Sequence, residues 1–255
     1  MPRFAANLSM LFTELPFLDR FEAAADAGFE AVEFLFPYDF PAEEIAARLE
    51  QHGLAQALFN LPPGDWAGGE RGIAALAGRE DEFRASVDTA LTYAAALDCP
   101  KLHVMAGIPD DVDAAWDLYL HHLRYAADLA AEAGRSVLVE PLNPYDVPGY
   151  LVGSVASATE FLATVDRDNV KLQLDLYHAQ ITDGDLSRLI RSTIDRVGHV
   201  QIASVPDRHE PDVGELSYPH VLAVLDDAGY EGWVGCEYNP AGGTVAGLGW
   251  LDAYR

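Results

Sequence analysis

A chain of 255 residues that is 50% hydrophobic and 22% charged, with a mean hydropathy of +0.01, has globular composition and length for one large α/β domain or two small ones. Its formal charge of −25, from 41 acidic against 16 basic residues, excludes polyanionic partners, so no nucleic acid and no anionic membrane surface is expected to bind. No run approaches the roughly 18 apolar residues of a membrane-spanning helix, the opening MPRFAANLSMLFTELPF is too broken for a signal peptide, and Cys99 and Cys236 lie far apart without a CxxC pair. These features point to a cytoplasmic protein whose acidic charge is mostly solvated helix surface.

Along the chain, β-like runs alternate with helical patterns. Strands are expected near 4–8, 31–35, 54–59, 101–105, 136–140, 170–175, 199–203 and 233–237. Helices are expected at about 16–27, 41–52, 80–97, 111–133, 157–165, 185–196, 218–228 and 243–254. In FLDRFEAAADAG, for example, Phe17, Leu18, Phe21, Ala24 and Ala25 recur at helical spacing and form one apolar face. Eight βα units in this length are the rhythm of a (β/α)8 TIM barrel, and no GxGxxG follows the first strand to favour a doubly wound sheet. No Pro-, Gly- or Ser-rich linker divides the chain, so a single domain over 1–255 is expected. The irregular stretch 60–80 is long enough to be a lid or binding loop.

A barrel builds its site at the C-terminal ends of its strands, and every expected strand carries a polar residue there: Asn7, Glu33, Asn60, His103, Glu140, Asp175, Gln201 and Glu237. Glu140, Asp175, Gln201 and Glu237 converge from the last four strands. Three carboxylates together repel one another, and a divalent cation resolves the conflict; an all-oxygen set favours Mg²⁺ or Mn²⁺ over zinc. Taken singly, each has a structural alternative: Asp175 as a cap, Gln201 as a satisfied interior amide, either Glu as the partner of an Arg. His178, three residues after Asp175, is placed to donate to a substrate oxygen. Arg208 offers a fork to an anionic substrate, with a structural Arg208–Glu210 pair as the alternative, and Arg71 and Arg79 around the long loop invite the same two readings. Asn60 and His103 complete the expected substrate contacts. His121 and His122 read as ordinary helix residues, and Cys236 as a buried inert thiol.

The segments AVEFLFPY, PPGDWAGGERGIAALAGRE, LVEPLNP, LDLYHAQ, HVQIASVPDRHEPDVGELSY and GWVGCEY together resemble the hydroxypyruvate isomerase family, within the xylose-isomerase-like barrels. The opening segment, HVMAG at 103–107 and PDRHEPD look more like its 2-oxo-tetronate isomerase branch than hydroxypyruvate isomerase proper. That resemblance implies an isomerase of short hydroxy-keto acids acting through a metal-stabilised enediolate. It implies that Glu140, Asp175, Gln201 and Glu237 hold the metal and that Glu140 and Glu237 also move protons. The implied partner is a small anionic sugar acid, with a homo-oligomer left open. Competing readings are a ketose 3-epimerase, a metal-dependent nuclease and a non-enzymatic sugar-acid binder.

Overall fold

The structure, a computed structural model, describes residues 2–254. Eight parallel strands close into one barrel in sequence order: β1 (Arg3–Asn7), β2 (Ala31–Glu33), β3 (Ala55–Asn60), β4 (Lys101–His103), β5 (Ser136–Val139), β6 (Val170–Asp175), β7 (Val197–Ile202) and β8 (Trp233–Cys236). Closure comes from β1 pairing β8, with Ala5 opposite Gly235 and Ala6 opposite Cys236. Outward-facing residues such as Val170, Leu172, Leu174, Val200 and Ile202 join one large core with the helices, as their alternation predicts.

Inside, the filling is divided. Ala5, Ala31 and Ala57 pack in a small apolar cluster against Trp233. Other interior positions are polar yet buried: Glu33, Gln173, His199 and Gln201 are each at most 1% exposed. Buried polar groups persist only where hydrogen bonds replace water, so this stratum must be a connected network.

The helices are α1 (Arg20–Asp26), α2 (Ala42–His52), α3 (Glu80–Ala96), α4 (Val112–Glu132), α5 (Val155–Val165), α6 (Leu176–Thr182), α7 (Leu186–Thr193), α8 (Tyr218–Asp227) and α9 (Thr244–Gly247). Three depart from the sequence reading. A 3₁₀ turn at Phe17–Asp19 takes up the start of the first helical pattern. The expected helix over 243–254 is a four-residue α9 followed by a 3₁₀ segment, Leu248–Tyr254, because Gly242, Gly243, Gly247 and Gly249 supply too little helix propensity. Between β6 and α7 lies α6, which was not expected. It starts directly off the strand, where the Asp175 carboxylate accepts the Tyr177 N–H at 2.8 Å and so caps it. Among the described residues no helix is long and apolar enough to cross a membrane.

Candidate active site

A cavity of about 490 Å³ opens at the C-terminal end of the barrel. Glu140, immediately after β5, and Glu237, immediately after β8, face it together with His178, Arg208, Asn60 and Asp146. Pro141 stops β5 from extending, so Glu140 sits where the strand gives way to loop.

Three carboxylates are buried at this end: Glu140 is 5% exposed, Glu237 4% and Asp175 0%. Arg208 is shared by two of them, Glu237 and Asp175. Its Nη2 donates to Glu237 Oε2 at 2.5 Å and to Asp175 Oδ2 at 3.3 Å, Nη1 lies 3.6 Å from Asp146, and the guanidinium covers the Tyr177 ring at 4.8 Å. The Arg208–Glu210 pair does not form; Glu210 instead accepts the Ala241 N–H at 3.2 Å. Burial, relieved in part by Arg208, pushes the Glu237 carboxyl up to about 8. Burial raises Asp175 as well, and raises Glu140 well above the carboxylate range, with the nearby Glu237 and Asp175 adding repulsion. Glu140 Oε1 has no hydrogen-bond partner at all.

His178 has a determined tautomer. Its Nδ1 accepts the backbone N–H of Asn143 at 3.1 Å, and the Asn143 side-chain amide lies at 2.8 Å. A backbone N–H can only donate, so Nδ1 is bare and the neutral ring carries its proton on Nε2, 3.6 Å from Asp175 Oδ2. Burial, aided by Arg208, lowers His178 well below its usual range and keeps it neutral. The ring therefore aims an N–H donor at the carboxylate cluster. Asn143 was not singled out from the sequence, although it lies in the LVEPLNP segment three residues after Glu140.

Behind the carboxylates, Glu33 is the hub of the polar interior. It accepts from Asn7 Nδ2 at 3.1 Å and Gln201 Nε2 at 2.8 Å, and lies 2.6 Å from His199 Nε2. Asn7 Nδ2 also reaches Glu237 Oε1 at 3.3 Å, tying the hub to the cavity. Gln201 Oε1 meanwhile accepts from Gln173 Nε2 at 2.7 Å. The Glu33 carboxylate occupies the space left by the missing Cβ of Gly235 on β8. Gly235→Ala is therefore expected to displace Glu33 and loosen Asn7 and Glu237, costing about 1–3 kcal/mol by overpacking in urea denaturation. The same variant should lose activity while Gly242→Ala, where the backbone is not left-handed and an added Cβ meets open space, serves as a control.

His103, expected at the substrate, is fully buried and absent from the cavity wall. Its Nδ1 lies 3.3 Å from Glu140 Oε2, neither ring nitrogen makes a hydrogen bond, and burial holds it down to about 3. It packs behind Glu140 as a neutral ring. Asn60 does line the cavity, with Nδ2 3.8 Å from Met105 Sδ. Cys236 is buried in the outer core, as read from the alternation.

The residues present fit a small, hard divalent cation. Three buried carboxylates face one paired guanidinium, and Glu140 Oε1 is left without a donor, so the site is short of positive charge. Candidate ligand atoms of Glu140, Asp175 and His178 lie within 4.8 Å of one another. His178 offers its protonated nitrogen there, which cannot bind a metal without a change of tautomer, so the oxygen ligands carry the fit. The expected fourth ligand, Gln201, has its amide engaged by Gln173 and Glu33.

The chain matches the xylose isomerase-like TIM barrel family over residues 21–254 and belongs to that family. Within it, the chain stands with the hydroxypyruvate isomerase group and is an isomerase. It is 54% identical to 2-oxo-tetronate isomerase of Cupriavidus necator, over 100% of this chain and 99% of that protein. It is 44% identical to hydroxypyruvate isomerase of Escherichia coli, over 100% of both. A crystal structure described as AP endonuclease, family 2, from Brucella melitensis superposes with a TM-score of 0.99, at 60% identity and full coverage of both chains.

Proposed function

We propose that the protein interconverts the 2-oxo and 3-oxo forms of a four-carbon sugar acid, with hydroxypyruvate to tartronate semialdehyde as the alternative reaction. The observation that carries this reading is the placement of two buried glutamates, Glu140 and Glu237, at the ends of β5 and β8 and facing one small cavity. The reaction moves a hydrogen from C3 to C2 and a proton from O3 to O2: a carboxylate removes the C3 proton, an enediolate forms, the hydroxyl proton passes from O3 to O2, and a carboxyl returns a proton to C2. Both glutamates hold protons more tightly than in water, which suits groups that must alternate between acid and base near neutral pH.

The other side chains have separable tasks. His178 directs its Nε2–H into the site, where it stabilises oxygen charge by donating. Arg208 keeps Asp175 and Glu237 in place, and Asn143 holds the histidine tautomer. Glu140, Asp175 and Glu237 would hold Mg²⁺ or Mn²⁺, which supplies Lewis-acid stabilisation of the developing negative charge, and Gln201 would join them only by giving up its bond to Gln173 or Glu33. The proposed partner is a small anionic substrate, with no nucleic acid and no membrane; the two buried free thiols suit a reducing cytoplasm. A nuclease reading, suggested by the description of the Brucella structure, is opposed by the charge of −25.

NMR turnover of 2-oxo-tetronate and hydroxypyruvate side by side, with Mn²⁺ and with EDTA, tests the reading. Faster turnover of the four-carbon acid, suppressed by EDTA, is expected; turnover of neither acid with metal present overturns it. A second prediction needs no substrate. Mn²⁺ at about 100 times its dissociation constant stabilises by about 2.7 kcal/mol and should raise the melting temperature of EDTA-treated protein by about 5–10 °C. A Glu140→Gln, Asp175→Asn double variant should lose that shift in the same calorimetric scan.

A further inference from the structure

A sugar acid must bring its carboxylate into a cavity whose wall already holds Glu140, Glu237 and Asp146. Arg208 is the cation the sequence offers for it, but that guanidinium is committed to Asp175, Glu237 and Asp146. An arginine among three carboxylates presents no net positive field to a fourth.

The other guanidinium in the cavity wall is Arg71. It lies on the loop after β3, across the closed barrel from the loop after β7 that carries Arg208. Among the described residues no carboxylate pairs with it. Its Nη1 donates only to the backbone carbonyls of Glu70, at 2.8 Å, and Trp66, at 3.3 Å. The adjacent Glu70 carboxylate is turned away to Arg79, at 2.6 and 3.3 Å, and to the Asp65 N–H. No hydrogen bond among the described residues engages Arg71 Nε or Nη2.

The same loop holds Arg71 in position. Its guanidinium lies 4.0 Å over the Trp66 ring, and Trp66 packs on Phe36 at 5.0 Å. Immediately behind it, Gly72 adopts φ +101° and bridges to Ala106, while the Ala75 N–H donates to Ala106 O at 2.7 Å. A Cβ on Gly72 would fall on the Met105 backbone, so only glycine lets the loop lie this close to the segment after β4. A guanidinium with free N–H donors, fixed at a cavity rim without a counter-ion, is prepared for a bidentate anion.

We propose that Arg71 binds the substrate's carboxylate and thereby selects acids over uncharged ketoses, leaving Arg208 to hold Asp175 and Glu237. This rests on the sugar-acid reading above. It assigns specificity to the 60–80 loop and chemistry to the ends of β5 and β8.

Isothermal titration calorimetry with erythronate, a four-carbon sugar acid lacking the reactive carbonyl, tests it on wild type, Arg71→Met and Arg71→Lys, with melting curves to verify folding. Arg71→Met should weaken erythronate binding about 10- to 100-fold, and Arg71→Lys should restore part of the loss. In steady-state assays with 2-oxo-tetronate, KM should rise by a similar factor and kcat should fall by less than KM rises. In wild type alone, erythronate binding should weaken as NaCl is raised, which needs no variant to fold. Unaltered affinity and KM in Arg71→Met, a loss confined to kcat, or wild-type binding insensitive to salt would each overturn the assignment. Should wild type turn over no sugar acid, the functional reading fails, and Arg71 is then judged by erythronate calorimetry alone, where absence of wild-type binding overturns it too.

Discussion

Glu140→Gln and Glu237→Gln are each expected to lower turnover of the four-carbon acid by about 10²–10⁴-fold, the usual contribution of a positioned acid or base. Glutamine keeps the shape and the hydrogen-bonding oxygen but can neither take nor release the proton. The two variants should differ in solvent-hydrogen exchange. In D₂O, the variant that has lost the base for a given direction stops incorporating deuterium at the donor carbon. The variant that has lost only the returning acid continues to exchange there while product formation stops. Proton NMR of recovered substrate separates the two. Near-normal exchange and turnover in both variants would remove these glutamates from the chemistry, whatever the fold. The stability effects should also differ. Glu140→Gln alters a buried carboxylate whose Oε1 has no hydrogen-bond partner, whereas Glu237→Gln removes a partner of Arg208 and of Asn7.

Arg208→Met carries the largest expected structural effect. Removing one member of a buried ion pair leaves the others uncompensated, at a cost of about 3–5 kcal/mol. Here the abandoned groups are Asp175 and Glu237, both of which Arg208 draws down against burial. The sign of the pH dependence follows. A carboxyl whose folded value is raised keeps a proton that the unfolded chain has already lost, so stability falls as pH rises between the two values. For Glu237 that window runs from the ordinary 4.5 to about 8. Without Arg208 the folded values rise further, so Glu237 adds no deficit while it is protonated in both proteins, and the deficit it causes should open as pH rises through about 8. Urea denaturation of EDTA-treated protein at several pH values checks this. A deficit independent of pH would mean that Arg208 contributes packing on Tyr177 and little electrostatic support.

The barrel was legible because its cause is periodic. Alternation within VKLQLD and HVQIA separates an outer apolar face from an inner polar one, and eight such runs spaced by helices close in only one common way. The positions of Glu140, Asp175 and Glu237 were legible for the same reason: each ends a strand, and parallel strands bring their ends together. The helix α6 was not legible, because seven residues with an Asp cap give too short a period to distinguish from loop. Nor was the displacement of His103 behind Glu140, since the end of a strand does not by itself state whether a side chain meets the cavity or the wall behind it.

By itself, then, the sequence determined the barrel, the acidic surface and the gathering of carboxylates at one rim, because strand periodicity and strand direction are local properties that repeat. Only the tertiary structure decided the pairing: Arg208 with Asp175 and Glu237 instead of Glu210, Gln201 turned towards Glu33 and Gln173, His178 held in one tautomer by Asn143, and Arg71 left without a counter-ion. These partners are 28 to 168 residues apart in several of the pairs, and which buried charge meets which donor depends on loop paths and burial that no local pattern encodes.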